Sequence, residues 1–552
     1  MDNYFNLKEL VLYARKNYSE RDAFYIRNKV SYDTITFDTF TTQILKLAAS
    51  LLDRGYSNGK HIALVGENSY NWVVSYLAAV STGCVIVPID KELPSDEIVA
   101  VYKKSDALML MYSASYAEPA KEIMESLGGE LIIIDKPKSK LTEISTSALI
   151  EGYTKNDFQE RIEAIEIDRY KIAAIVFTSG TTGVSKGVML SHNNQITNIK
   201  ACFDMVKFQG NRFSLLPLHH TYELTLGLLY PIALGCATSF NNSIKYISQN
   251  IQIFKPTDLI LVPLIAEALH NSIWDKIRSG GKENLVRNMI KFSNLLLKVG
   301  IDIRRVLFKQ VHAGLGGRVV NIFCGGAKVE ETIARSFVDF GFKFRIGYGI
   351  TECSPLISGN IACVSSDMAH CGYSASCCEL DIFEPNSEGE GEVIVKGENV
   401  MLGYYNNPEA TAAVIKDGWY HTGDIGKLGK KGELYITGRI KNIIVLKNGK
   451  NIYPEELEGY IYTIPYVKEV VVYALGSSLG QESALAAEVF INEDRAAADN
   501  IEDVKAVVKA EIDKINQDIA YYKRISKVHF RDSEFIKTTT KKIKRDKIDG
   551  KQ

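Results

Sequence analysis

Residues 178–192 read Thr178-Ser179-Gly180-Thr181-Thr182-Gly183-Val184-Ser185-Lys186-Gly187-Val188-Met189-Leu190-Ser191-His192, small hydroxyl residues and glycines gathered around one lysine. This composition suits a polyphosphate. Glycines let the backbone curl against an anion, hydroxyls donate hydrogen bonds, and Lys186 adds a full positive charge. A P-loop would need Gly, four residues and then Gly-Lys-Ser/Thr. Counted from Gly180 the chain gives Ser185-Lys186-Gly187, so that motif fails. A Ser/Thr/Gly surface loop is the bland alternative. The apolar run Ile172 to Phe177 directly in front counts against it, because a buried strand would present the loop at its end.

Other residues have chemical potential in smaller groups. Gly325-Gly326-Ala327 and Tyr348-Gly349-Ile350-Thr351-Glu352 both follow strand-like runs, where α/β proteins admit ligands close to the backbone. Tyr348 could stack on a planar ring, and Glu352 could hold magnesium, a hard cation that prefers carboxylate oxygen. Asp424, between glycines, could accept hydrogen bonds from a ribose diol, although Asp beside Gly is also ordinary turn chemistry. His219 and His220 invite a metal reading. Neighbouring side chains point apart and no third ligand is near in sequence, so a core or gating role is preferred. Cys363, Cys371, Cys377 and Cys378 crowd together in no paired zinc-site spacing, and their segment alternates like a strand. The run Lys537 to Arg545 reads by default as a solvated basic tail.

The elements that must position these residues alternate. Helix-like Phe40 to Leu52 precedes strand-like His61 to Val65; helix-like Trp72 to Val80 precedes strand-like Cys84 to Pro88; two more strands follow at Ala107 to Tyr112 and Leu131 to Asp135. That rhythm predicts βαβ units and a mostly parallel sheet. An apolar helix is expected from Leu224 to Leu234. Between Leu264 and Gly317 the apolar positions Ile273, Ile277, Leu285, Met289, Phe292 and Leu296 sit among Lys and Arg. They suit a packing helix better than a membrane-surface one. After about residue 365 short alternating strands predict a small β-barrel subdomain, and Gly438 to Asn442 is a polar connector. We expect a large α/β domain over 1–440, with two βαβ-type subdomains to about 365 and the β subdomain over about 366–438. A small α+β domain would then occupy 441–552.

At 552 residues the chain is too long for one core. Its 65 basic and 66 acidic residues give a net charge of -1, which provides no general attraction to nucleic acid. Nine cysteines, an odd number spread along a long chain, do not suggest a secreted disulfide framework. With neither a leader-like start nor a membrane-length apolar run, a cytoplasmic protein is expected, with peripheral membrane contact left open.

In order and spread, the motifs resemble the adenylate-forming superfamily: acyl-CoA synthetases, firefly-type luciferases and peptide-synthetase adenylation domains. Leu216 to Glu223, the helical insertion ending at Leu315 to Arg318, and Asp417 to Asp424 look most like the long-chain fatty acyl-CoA synthetases. The tail lacks the glycine many relatives carry before their lysine, so the matching residue is Lys542 or its neighbour Lys541; Lys542 keeps Ile543-Lys544-Arg545 in register. The resemblance implies ATP-dependent activation of a medium- to long-chain fatty acid to acyl-AMP, with Mg2+, and transfer to CoA. Thr178, Ser179, Gly180, Thr181, Thr182, Gly183 and Lys186 would hold the β and γ phosphates. Thr351 would meet the α-phosphate, Glu352 bind magnesium, and Lys542 bridge the carboxylate and the α-phosphate. Asp424 and Arg439 would fix the ribose, and Tyr348, Gly349, Gly326 and Ala327 line the adenine side. Lys441 would be the hinge, Gly449 would border the CoA channel, and His220 would gate the thiol's route. Alternatives are transfer to an acyl carrier protein, activation of another carboxylic acid, and a catalytically silent nucleotide-binding scaffold.

Overall fold

The computed structural model describes residues 4–28, 30–135, 144–178, 185–241, 246–360, 370–445, 451–475, 484–537, 543–545 and 548. The chain forms two compact units. One comprises 1–380 with 395–420, the other 381–394 with 421–552.

The first unit is built on two sheets. A seven-stranded sheet runs Gly403–Tyr404, Lys186–Ser191, Ile172–Thr178, Val85–Pro88, His61–Val65, Met109–Tyr112, Glu130–Ile133. Its inner pairs are parallel, and the hairpin Ile172–Thr178 with Lys186–Ser191 is antiparallel. A nine-stranded sheet contains the parallel strands Asp258–Leu261, Asn321–Cys324 and Lys343–Gly349, followed by antiparallel Leu356–Gly359. The sequence rhythm predicts this architecture, because parallel strands covered on both faces must be short apolar runs.

Helices Phe37–Asp53 and Tyr70–Ser81 fill the core, the second buried along almost its whole length. Each begins at a hydroxyl cap, Thr36 accepting from the Thr39 amide and Ser69 from the Trp72 amide, which satisfies one otherwise orphaned donor. Helix His192–Met205 starts with a capping box: the Ser191 hydroxyl accepts from the Asn194 amide (3.0 Å) and Asn194 Oδ1 accepts from the Ser191 amide (2.8 Å).

The expected apolar helix over Leu224 to Leu234 is present in altered form. Glu223–Leu229 is a π-helix, continued by the α-helix Tyr230–Leu234. Arg212 and Glu223 form a fully buried ion pair at its start, Nη2 to Oε2 2.9 Å, and the Ser214 hydroxyl donates to the other carboxylate oxygen. Burial pushes the Glu223 carboxyl up; Arg212 and Ser214 oppose that shift.

Helix Glu283–Lys298 is only partly a packing helix. Ile273 and Ile277 of the preceding helix, with Val286, Met289 and Ile290, pack against a buried cluster. Leu285, Phe292 and Leu295 are instead 54–62% exposed, correcting the expectation that Leu285 and Phe292 face a core. No helix among the described residues is long and apolar enough to cross a membrane.

The second unit combines a β-hairpin with an α+β core. Residues from Asp424 to Leu428 pair antiparallel with Leu434–Arg439. Val467–Leu475, Ala484–Ile491 and Ile525–Arg531 form a three-stranded sheet covered by Pro454–Ile461 and Val504–Asp518.

Candidate active site

In the first unit the hairpin sets Thr178 opposite Lys186. Its outer edge accepts Gly403–Tyr404 as a further strand, and the Tyr405 amide donates to the Gly187 carbonyl at 2.7 Å. Tyr404 is thereby placed between two charges. Its hydroxyl donates to Glu352 Oε1 at 2.9 Å, and Lys186 Nζ lies 4.8 Å from its ring centroid. Burial, with the Glu352 carboxylate close by, holds the Tyr404 phenol well above its ordinary value; the same causes act on Tyr420. Both remain protonated donors near neutrality. Thr351 and Glu352 occupy a single 3₁₀ turn, and the Glu352 carbonyl accepts from the Met401 amide at 2.8 Å.

One helix fixes both segments. Asn194 and Asn198 are four residues apart on His192–Met205 and so share a face. Asn194 donates to the Glu398 and Val400 carbonyls (2.7 and 2.9 Å), on the approach to Tyr404. Asn198 donates to the Cys353 and Leu356 carbonyls (3.1 and 3.2 Å), just beyond Glu352.

Gly326, Tyr348 and Gly349 border one cavity of about 70 Å³, with Met205, Leu226 and Phe323 among its walls. Gly326 has φ +83°, a conformation that favours glycine. At Gly349 a Cβ would stand 2.1 Å from the Pro355 carbonyl oxygen, so only glycine allows the Ile350 amide to reach that oxygen at 2.9 Å. Ala327 follows Gly326 and is exposed.

His220 is not beside these groups in any contact described. It lies in the turn before the π-helix with its ring centroid 4.1 Å from that of His219. This corrects the expectation that the adjacent imidazoles point apart. A third potential ligand, absent from the local sequence, is supplied by Asp90. Burial and the neighbouring His220 and Lys91 push His219 well below the ordinary histidine value. Cys371, Cys377 and Cys378 are free thiols, and Cys363 lies outside the described residues.

In the second unit Asp424 and Arg439 are register partners across the hairpin, with Arg439 Nε 2.9 Å from Asp424 Oδ1. The strand just before Asp424 is braced by Glu392, whose carboxylate accepts from the Gly423 amide (2.9 Å) and meets His421 Nδ1 (2.6 Å). Lys441 lies in the 3₁₀ turn Ile440–Asn442, where partial burial and Arg439 lower its pKa. The basic tail is not simply solvated. Lys537 pairs with Glu534 (2.8 Å) and Glu469, Arg545 pairs with Glu458 and Glu455, and Phe535 and Ile548 are buried against Val471 and Tyr473. Ser179, Gly180, Thr181, Thr182, Gly183, Gly449, Lys541 and Lys542 lie outside the described residues.

Tyr404, Asn194 and Asn198 were not singled out from the sequence. The asparagines have a readable signal, polar residues at i and i+4 of which the first closes a capping box; Tyr404 has none beyond a Gly-Tyr pair.

Comparison with known proteins gives these arrangements a family. Residues 13–405 match the AMP-binding enzymes and residues 441–550 the AMP-binding enzyme C-terminal domain. Long-chain-fatty-acid–CoA ligase ACSBG2 of Rattus norvegicus is 28% identical over 476 residues, covering 79% of this chain and 70% of its own. Long-chain-fatty-acid–(acyl-carrier-protein) ligase AEE15, chloroplastic, of Arabidopsis thaliana is 26% identical over 606 residues, covering 94% and 81%. The solved structure of O-succinylbenzoate Coenzyme A Synthetase (MenE) from Bacillus subtilis, in complex with AMP, has the same fold, with a TM-score of 0.74 at 21% identity over 98% of each chain. The chain belongs to the adenylate-forming superfamily of AMP-binding enzymes and is most like the long-chain acyl-CoA synthetases.

Proposed function

We propose that the protein, an AMP-forming acid–CoA ligase, activates a medium- to long-chain fatty acid with ATP as acyl-AMP. Pyrophosphate leaves in that first step, and the acyl group then passes to CoA, whose thiol displaces AMP. The observation that carries the substrate reading is the largely apolar cavity behind Gly326, Tyr348 and Gly349. At about 70 Å³ it admits only the few methylenes nearest the carboxylate, which gain hydrophobic free energy there.

The roles follow from the demands of the reaction. Separating phosphates calls for positive charge and donors aimed at developing negative charge. Lys186 and the loop from Thr178 serve the β and γ phosphates, and Thr351 the α-phosphate. Tyr404 keeps the Lys186 ammonium and the Glu352 carboxylate at fixed places. Glu352, a hard oxygen ligand in a single turn, would hold a magnesium ion, which would supply neutralising charge to the phosphates. Asp424 and Arg439 present an acceptor and donors to the ribose; Tyr348, Gly349, Gly326 and Ala327 serve the adenine side. Lys542 bridges the acid carboxylate and the α-phosphate, Lys441 acts as hinge, Gly449 borders the CoA channel, and His220 serves the acid end.

A cytoplasmic setting is supported by the eight described cysteines, all free thiols. The exposed Leu285, Phe292 and Leu295, among Arg287, Lys291 and Lys298, support peripheral contact with the membranes into which such acids partition. One relative's carrier-protein specificity favours a second reading, transfer to the phosphopantetheine thiol of an acyl carrier protein. A panel of fatty acids of graded length, each with CoA or carrier protein as acceptor, tests the proposal. Acyl-CoA formation from fatty acids is expected. Thioester found only on the carrier, or none with any fatty acid, overturns it.

A further inference from the structure

Asp90 and the two histidines at 219 and 220 offer one carboxylate oxygen and two imidazole nitrogens, all within 4.8 Å of one another. They come from two places. Asp90 follows the strand Val85–Pro88, and the histidines occupy the turn after the strand Arg212–Ser214. Both places are anchored. Asp90 Oδ1 accepts from the Glu92 amide at 2.9 Å, and the turn is held by the Leu218 amide donating to Asn68 Oδ1 at 3.0 Å.

The contact between Asp90 and His219 is unusual for an ion pair. Nε2 stands 3.2 Å from Oδ1, yet this nitrogen is buried and makes no hydrogen bond, and His219 is only 6% exposed. Donors around a tetrahedral ion with bonds of about 2.0–2.1 Å are separated by about 3.3 Å, close to this spacing. A nitrogen and an oxygen facing each other at that distance without a proton aligned between them have the relation of two ligands to one cation. His220, half-buried, offers the third ligand atom within the same 4.8 Å.

We propose that Asp90, His219 and His220 form a site for a divalent transition metal of the zinc class. The chemistry of the donors sets this choice: imidazole nitrogen suits Zn2+ and Co2+ and is a poor ligand for Mg2+, which takes oxygen. Three protein ligands leave a fourth position open to water or a thiol. Occupancy draws His220 away from the acid end of the active site, so the ion inhibits the enzyme. That consequence, unlike the binding itself, rests on the role proposed above for His220.

Cobalt(II) is the probe, added to the full-length protein without nucleotide. The expected result is the strong visible absorption of tetrahedral cobalt at one equivalent per chain, displaced by one equivalent of Zn2+ and unaffected by a large excess of Mg2+. Zn2+ raises the unfolding temperature of the unaltered protein. Asp90→Asn and His219→Gln each weaken cobalt binding at least tenfold. In thioester assays with excess Mg-ATP, Zn2+ inhibits the unaltered enzyme, a chelator restores it, and Asp90→Asn needs at least ten times more Zn2+ for the same inhibition. Absence of the visible bands, or bands that persist in both variants with the thiolate charge-transfer absorption of cysteine ligation, overturns the site. Binding without inhibition overturns only the consequence drawn for His220.

Discussion

The two units place their candidate residues in different ways. In the second, Asp424 and Arg439 face each other across one hairpin. In the first, Lys186, Glu352 and Tyr404 arrive on three segments far apart in the chain and meet only because a sheet edge and an asparagine-bearing helix gather them. A local pair tolerates loosening of its surroundings, whereas a long-range trio inherits the stability of its whole unit. Acid response also divides the units. His192 in the first is pushed down to about 4 by burial, and Glu458 in the second is pushed up to about 7 by burial against the pull of Arg545.

The sharpest break of this contrast is Arg212→Met. It leaves the Glu223 carboxylate buried without its partner and is expected to cost the first unit about 3–5 kcal/mol, read from the urea midpoint. Arg212→Met with Glu223→Leu should regain most of that loss.

The pH dependence should show opposite signs, each up to about 3 kcal/mol. His192 has a folded pKa below its unfolded 6.5, so its contribution is present above pH 6.5 and lost as the pH falls towards 4. Glu458 has a folded pKa above its unfolded 4.5, so its contribution is present below pH 4.5 and lost as the pH rises through 7. Hydrogen exchange, which reports each unit separately, should show the first weakening in acid and the second strengthening. His192→Gln and Glu458→Gln should each flatten one trend alone; identical trends in both units would remove the contrast.

Within the trio, Glu352→Gln should lower acid-dependent pyrophosphate exchange about a hundredfold or more. Tyr404→Phe should lower it about tenfold with little change in folding. In the hairpin, Asp424→Asn should raise the KM for ATP about tenfold and alter kcat less, as expected for lost uniform binding. Smallest, Met205→Ala should move the acid preference a few-fold towards longer chains by opening the cavity wall; an unchanged preference would mean that this wall does not measure length.

Much of the fold was legible because burial writes a period into the chain. His61–Val65, Val467–Leu475 and Ala484–Ile491 appear where apolar runs and alternation place them. The π-helix was not legible, since apolar spacing does not distinguish it from an α-helix, and the buried Arg212–Glu223 pair at its start joins two segments by topology. Helix Glu283–Lys298 has the pattern of a packing face, yet the pattern cannot tell a core from solvent, and Leu285 and Phe292 are exposed. Among the candidate residues, Asp424 and Arg439 share a role implied by the resemblance, and they meet locally across one hairpin. Tyr404 and Asp90 were invisible because their partners arrive by topology alone, and proximity across a sheet leaves no mark in local composition.

Helix His192–Met205 is a rod of about 21 Å. Its first turns grip the segments carrying Glu352 and Tyr404, and its last residue forms part of the cavity wall. On the proposed function, an acyl chain pressing on Met205 would load one end of a lever whose other end holds Glu352 and Tyr404. Fit of the acyl tail and readiness of the head would then be one mechanical variable, so a poorly matched acid would be penalised at the first chemical step as well as in binding.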